Sequence, residues 1–158
     1  MKIIERNHFK FFSPFDFNEF SKLIDRNNYT TFLNGNWSPD YIFDNAVSIK
    51  NVQADPWFVP FYKYLINDSL NKKSINNQKP DIHLFANFSS GGKSVSHTDA
   101  HDVYIIGLYG RTLYRNEQQE IFVGPGDVLQ IKGGEEHRAI GITPRIVASY
   151  SYYHTDKK

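Results

Sequence analysis

The stretch Ser94–Gly110, SVSHTDAHDVYIIGLYG, decides how this chain is read. It places His97 and Asp99 two residues apart and then runs into aliphatic and aromatic residues. Alternate residues on a strand share a face, so the spacing predicts that both side chains point the same way. On an antiparallel sheet that face is either wet or buried. A buried carboxylate without a partner is costly unless something positive sits against it. A metal ion supplies that charge and directs attention to the rest of the sequence for its other ligands. A solvated His97–Asp99 hydrogen bond explains the tripeptide alone just as well, so the surroundings must separate the two.

Composition narrows the donor set. The chain has 158 residues and no cysteine, which excludes disulfides, thiolate catalysis, iron–sulfur clusters and cysteine-ligated zinc. Any metal is therefore held by His, Asp, Glu or tyrosinate. Lys and Arg number 18 against 17 Asp and Glu, a formal charge of +1, which gives no electrostatic case for a nucleic-acid or anionic-membrane partner. Length predicts one domain over residues 1–158. Thirteen Phe and ten Tyr, within an aromatic share of 16%, favour a β-rich fold with a large packed core. The opening MKIIERNHFKFF lacks the continuous apolar stretch of a signal peptide and no segment is apolar enough to span a bilayer, so a cytoplasmic location is expected.

Residues 1–80 read as mixed helix and strand. Ser13 is placed to cap a helix with Pro14 in its first turn, and Phe17, Phe20 and Ile24 then share one face. Asn34-Gly35-Asn36 marks a turn and residues 41–49 a strand. A second helix is expected with Asp55 as cap, Pro56 and Pro60 in its opening turn and Phe58, Phe61 and Leu65 as its stripe. The polar segment 71–80 is a surface loop. From Asp81 the character changes: short apolar runs follow one another, separated by GG, RNEQQ, GPG, KGGEE and TP. Closely spaced strands with turn signals predict a mainly β fold, a double-stranded β-helix of the jelly-roll kind over 81–153, with the N-terminal helices packed outside.

A third ligand should arrive from a strand adjacent in space and later in sequence. His137 meets that condition, 40 positions after His97 and just past a glycine-rich turn. Two imidazoles and one carboxylate make the facial triad associated with non-haem Fe(II), with three positions left open. The pattern Gly126-x7-Gly134-x2-His137 resembles the second cupin motif, with Lys132 where proline is usual. Gly91-x5-His97-x-Asp99, closing at Gly110, resembles the first, with Asp99 replacing its second histidine. More closely, HTDAHDVYIIGLYGRTLYR and the preceding LFANFSSGG resemble the JmjC-type and ribosomal-oxygenase-like cupins. The likeness covers about residues 81–153 and none of it reaches the first 80.

That resemblance implies a double-stranded β-helix oxygenase, a hydroxylase using Fe(II) and 2-oxoglutarate, with His97, Asp99 and His137 as both metal ligands and catalytic centre. Two positions depart from the family. Thr112 stands where a Lys or Arg grips the far carboxylate of 2-oxoglutarate, and Gly107 replaces the usual glutamine. Arg145, eight residues after His137, matches the arginine that serves this purpose in prolyl-hydroxylase-type oxygenases, and its planar fork suits a carboxylate. A surface arginine after Pro144 is the competing reading. Ser149 shares Arg145's face by alternation and is placed to add a hydrogen bond, while Tyr150 and Tyr152 line the other face; Arg111 points away from Thr112. Asn87 and Ser89 are candidate pocket residues. Asp102 matches a second family acid and is placed to orient a ligand. His101 is expected at the rim, Tyr104 and Tyr114 in core or pocket wall, and His8, His83 and His154 have no evident partner. Gly91-Gly92-Lys93-Ser94 lacks the spaced first glycine of a phosphate loop.

Two rivals stand beside the oxygenase reading. One is a cupin dioxygenase or isomerase whose small-molecule substrate chelates the metal itself, and the other is a non-catalytic ligand-binding cupin. The substrate is expected to be a small molecule or a protein, and cupins often dimerise, so a homodimer is among the assemblies implied.

Overall fold

The computed structural model describes residues 1–6, 16–27, 47–56, 58–59, 81–91 and 94–151. Nine strands are described: β1 (Lys2–Glu5), β2 (Val47–Ile49), β3 (Asp81–Asn87), β4 (Val103–Tyr109), β5 (Thr112–Arg115), β6 (Glu120–Val123), β7 (Val128–Ile131), β8 (Arg138–Gly141) and β9 (Arg145–Ser151), with one α-helix, α1 (Phe17–Asn27). Six strands form one sheet in the order β1-β7-β4-β9-β3-β2, and three form a second, β6-β5-β8. All pairings between them are antiparallel.

The two sheets differ in pattern because they differ in what covers them. The run VYIIGLY of β4 is apolar on both sides, since the large sheet is covered on both faces. Its inner face packs Val103, Ile105, Leu129, Ile131 and Val147 against Tyr114, Val123 and Ala139 of the small sheet. Its outer face packs Ile82, Leu84, Ile106, Ala148 and Tyr150 against Phe20, Leu23, Val52 and Phe58. The small sheet alternates instead. Thr112 and Tyr114 of β5 turn inward, while Leu113 and Arg115 turn outward. Together the two sheets make the expected double-stranded β-helix, with β1 and β2 from the first 80 residues joining the large sheet.

Helix α1 starts one turn later than expected. Asp16 Oδ1 accepts from Glu19 N at 3.0 Å, so the cap is Asp16 and not Ser13, which lies outside the described residues along with Pro14. Phe17 and Phe20 do face the sheet, joined by Leu23; the side chain of Ile24 is outside the described residues. Burying Phe20 and Leu23 completely contributes about 1.5–3 kcal/mol each. Phe17 also packs against Phe88 at 5.1 Å with the rings tilted by 35° and meets Tyr109 edge-on at 5.3 Å. The expected strand 41–49 is described only at β2, and the expected second helix only at Phe58–Val59, where Asp55 O accepts from Phe58 N at 2.8 Å. Pro60, Phe61, Leu65, the turn at 34–36 and the loop at 71–80 lie outside the described residues.

Strand β1 carries the chain start into the large sheet, pairing with β7 as one edge, while β2 forms the other through β3. Among the described residues no helix is long and apolar enough to cross a membrane.

Candidate active site

Main-chain pairing brings two histidines together. His97 N donates to His137 O at 3.0 Å and His137 N donates to His97 O at 2.9 Å, forming an isolated antiparallel bridge. Residues opposed in this way project to the same side, and the ring centroids stand 4.4 Å apart. The segment carrying His97 and Asp99 is thus not the continuous strand expected from its spacing. It is held by this bridge and by Ser94 N donating to Ala139 O of β8 at 2.9 Å, and β4 begins only at Val103.

The turn before His137 is fixed from two sides. Gly134 adopts φ 79°, a left-handed conformation that glycine enters without Cβ strain. From there its N–H donates to Asp99 O at 2.8 Å, tying the turn directly to the acid-bearing segment. Asp102 adds a second tie: Oδ1 accepts from Gly133 N and Oδ2 from Gln130 Nε2, both at 3.0 Å. The expected acid is therefore used to hold the turn, and it orients His137 through the backbone rather than by touching a ring.

Both imidazoles are presented in the same tautomer by an acceptor that side-chain patterns do not reveal. His97 Nδ1 lies 2.8 Å from Val95 O, and His137 Nδ1 lies 3.0 Å from Glu135 O. In each case the carbonyl two residues upstream accepts a hydrogen bond from Nδ1–H, which leaves the lone pair on Nε2. Glu135 is itself anchored, its carboxylate binding the Met1 ammonium and Asn116 Nδ2. That ammonium is the main cause of the lowered Glu135 pKa. Asp99 Oδ2 stands 3.5 Å from His137 Nε2, and one ligand atom from each of His97, Asp99 and His137 falls within 4.8 Å of the others. Two imidazole nitrogens and one carboxylate oxygen fit a divalent first-row metal, with positions left for further ligands. His137 is buried, while His97 is exposed and Asp99 half-buried, so the set sits at the mouth of the fold.

These three residues line a cavity of about 330 Å³ that runs inward between the sheets. Arg145 lines it too and is 1% exposed, so the surface reading of that arginine is excluded. Its Nε donates to Asn87 Oδ1 at 2.6 Å and its Nη1 to Thr112 Oγ1 at 3.4 Å. Burial pulls the guanidinium below its ordinary pKa and pushes the Tyr114 phenol above its own, while the contact between the two opposes both shifts. Arg145 stays charged nonetheless. No carboxylate among the described residues pairs with it. Beside it the buried Asn87 Nδ2 also has no hydrogen-bond partner. A buried cation held, among the described residues, only by neutral groups fits the carboxylate of a ligand.

Thr112 and Asn87 support Arg145 from behind and do not reach the cavity surface. Ser149 does line the cavity, opposite His83 and Ile105. It lies four residues along β9 from Arg145, roughly 13 Å of strand, too far to share one carboxylate with it. Gly107 cannot carry the family glutamine here: a Cβ would lie 1.9 Å from Gly124 O. Arg111 is exposed and covers Phe122 at 5.2 Å, as alternation requires. His101 and Tyr114 are cavity wall, whereas Tyr104 lies on the opposite face, stacked on Tyr150 at 5.0 Å. Ser89 is not in the lining. His8, Tyr152, His154, Gly92 and Lys93 lie outside the described residues. His83, for which the sequence suggests no partner, faces the cavity; the alternation Ile82-His83-Leu84, with both neighbours buried on the outer side, is the signal for that.

This architecture is a double-stranded β-helix. The ribosomal oxygenase YcfD from Escherichia coli, solved with cobalt and 2-oxoglutarate, superposes with a TM-score of 0.74 at 17% identity, over 99% of this chain and 48% of that one. YcfD solved as such gives 0.70 at 18% over the same shares, and YcfD with cobalt and succinic acid gives 0.62 at 19% over 77% and 36%. The chain thus spans about half the length of those structures. At these identities the likeness establishes the fold. No protein-family model matches the chain, and no curated protein matches it.

Proposed function

We propose that this chain is a non-haem Fe(II)-dependent oxygenase that uses 2-oxoglutarate to hydroxylate its substrate. The observation that carries this reading is the pairing, in one cavity, of a His97–Asp99–His137 donor set with the buried Arg145 guanidinium, which no carboxylate among the described residues pairs. When bound, Fe(II) supplies O2 activation coupled to conversion of 2-oxoglutarate to succinate. His97 and His137 ligate through Nε2, and Asp99 provides the anionic ligand. Arg145 takes the far carboxylate of the cosubstrate. Asn87 Oδ1 and Thr112 Oγ1 fix the guanidinium plane, and Tyr114 packs beside it. Thr112 thus serves the cosubstrate indirectly, as a hydroxyl under the arginine that replaces the family's basic residue.

Protein loaded anaerobically with Fe(II), then mixed with 2-oxoglutarate and air-saturated buffer, should release succinate above an iron-free control. Failure to release it with iron stoichiometrically bound would sink the 2-oxoglutarate assignment and favour a substrate that chelates the metal itself. That rival draws on the loss of the family's basic residue at position 112. Failure to bind iron at all would favour the ligand-binding reading.

A further inference from the structure

We infer that the Glu135 side chain is a positioning residue for His137: its carboxylate clamps the turn, so that the Glu135 carbonyl keeps the His137 ring in the tautomer that ligates a metal. The inference rests on the metal reading of His97, Asp99 and His137, and it concerns a side chain outside the cavity lining. His137 Nδ1 lies 3.0 Å from Glu135 O. A neutral imidazole carries its proton on either nitrogen, and the nitrogen with a fixed acceptor keeps it. Here that acceptor leaves Nε2 bare. A carbonyl can exert such control only if something holds it in place.

The carboxylate does so by tying separate segments together. Its Oε2 accepts from Lys132 N at 3.4 Å while Glu135 N donates to Lys132 O at 3.0 Å, so the side chain closes the same turn that its main chain closes. Its Oε1 accepts from Asn116 Nδ2 at 3.3 Å and from Gln119 Nε2 at 3.4 Å, both in the turn between β5 and β6. The same oxygen binds the Met1 ammonium at the start of β1. Each neutral contact is long, but the acceptor is ionised and several donors converge on it. The receiving turn is itself braced, because Asn116 Oδ1 accepts from Gln118 N and Gln119 N, both at 2.9 Å. The other imidazole supplies the contrast. His97 Nδ1 lies 2.8 Å from Val95 O, but the Val95 side chain is apolar and 86% exposed and ties nothing down. Glu136, next in sequence, accepts from Ser96 Oγ at 2.7 Å and has no bond to this turn among the described residues. Of the two rings, His137 alone answers to a carboxylate.

The test uses the metal-free full chain at about pH 8.5, where imidazole is neutral. Long-range proton–nitrogen correlation spectra report which ring nitrogen of each histidine carries the proton. In the parent, His97 and His137 should both be protonated at Nδ1. Glu135→Ala should move roughly half of the His137 population to the Nε2-protonated form and leave His97 unchanged. Glu135→Gln, which keeps an acceptor oxygen, should restore most of the parent population. Glu117→Ala, which removes the same charge from the neighbouring turn, should move neither ring. Gln119→Leu, which removes one donor and spares the carboxylate, should shift His137 in the same direction by less, and it decides the matter if Glu135→Ala does not fold. An unmoved His137 tautomer, or an equal shift of both rings, overturns the inference. Zn(II) titration reads the metal separately: Glu135→Ala should lower affinity about tenfold. A parent that binds no Zn(II) removes the metal reading, whereas the tautomer shift is measured with no metal present.

Discussion

Arg145 Nε donates to Asn87 Oδ1 at 2.6 Å, so the most deeply buried cation in the cavity wall is aimed by a neutral amide and not by a carboxylate. Hydrogen bonds to a charged group are worth about 1.5–3 kcal/mol. Arg145→Met should therefore weaken 2-oxoglutarate binding by roughly 10–100-fold while metal binding persists. A thermal shift measured with and without cosubstrate checks this, since a ligand that binds only the folded state raises the melting temperature. Retention of the full 2-oxoglutarate shift by Arg145→Met would remove Arg145 from the site.

Thr112 Oγ1 lies 3.4 Å from Arg145 Nη1, and this closeness decides whether the family's basic residue can be restored. Thr112→Lys alone sets two cations against each other in a buried place and should lower both stability and cosubstrate affinity. Combining Thr112→Lys with Arg145→Ala should recover part of the lost affinity. Isothermal titration of the two variants separates these outcomes.

At Gly107 the family glutamine is excluded by backbone. A Cβ would meet Gly124 O at 1.9 Å and Gly124 C at 2.6 Å, and neither atom can rotate away. Gly107→Ala should cost about 2–3 kcal/mol or more, and Gly107→Gln more still. Urea denaturation with an unchanged midpoint would contradict the packing.

Removing any of His97, Asp99 or His137 by alanine should abolish stoichiometric divalent-metal binding. Asp102→Ala should act at a distance, through Gly133 and Gln130, and lower metal affinity by about 10–100-fold. Metal titration of the four variants orders them. Acid should weaken binding in the parent, because protons compete for the imidazole lone pairs.

Burial is the main cause holding His83 below the ordinary imidazole pKa; Asp81 opposes it and Lys50 adds to it. The unfolded chain therefore takes up a proton at this position before the folded chain does. Below about pH 6.5 the unfolded state gains on that account, and stability falls as pH falls. Urea midpoints measured from about pH 7 to about pH 5 should decline less steeply for His83→Gln than for the parent.

Much of the site is legible in the sequence because it follows short-range rules. The glycine at position 134 announces the turn that delivers His137, and strand alternation sends Arg145 and Ser149 inward together. What is not legible depends on partners distant in the chain. The extended segment at 94–102 looks like a continuous strand, since residue types alone do not show that its pairing is limited to an isolated bridge at His97 and a bond from Ser94 N to Ala139 O. Nothing in MKIIE announces β7 as its neighbour. The carbonyls of Val95 and Glu135 that set both tautomers belong to the main chain, so no residue type signals them. Asp102 is recognisable as an acid of the motif, but its partners at 130 and 133 emerge only once β4 and β7 lie side by side.

The reciprocal His97–His137 bridge means that two of the three proposed ligands are in register through main-chain bonds alone. A chelator should consequently strip the ion without melting the barrel, and a different divalent ion should refill the vacancy without refolding. With so little of the assembly dependent on the metal, ion choice in the cell would follow supply and intrinsic affinity more than shape.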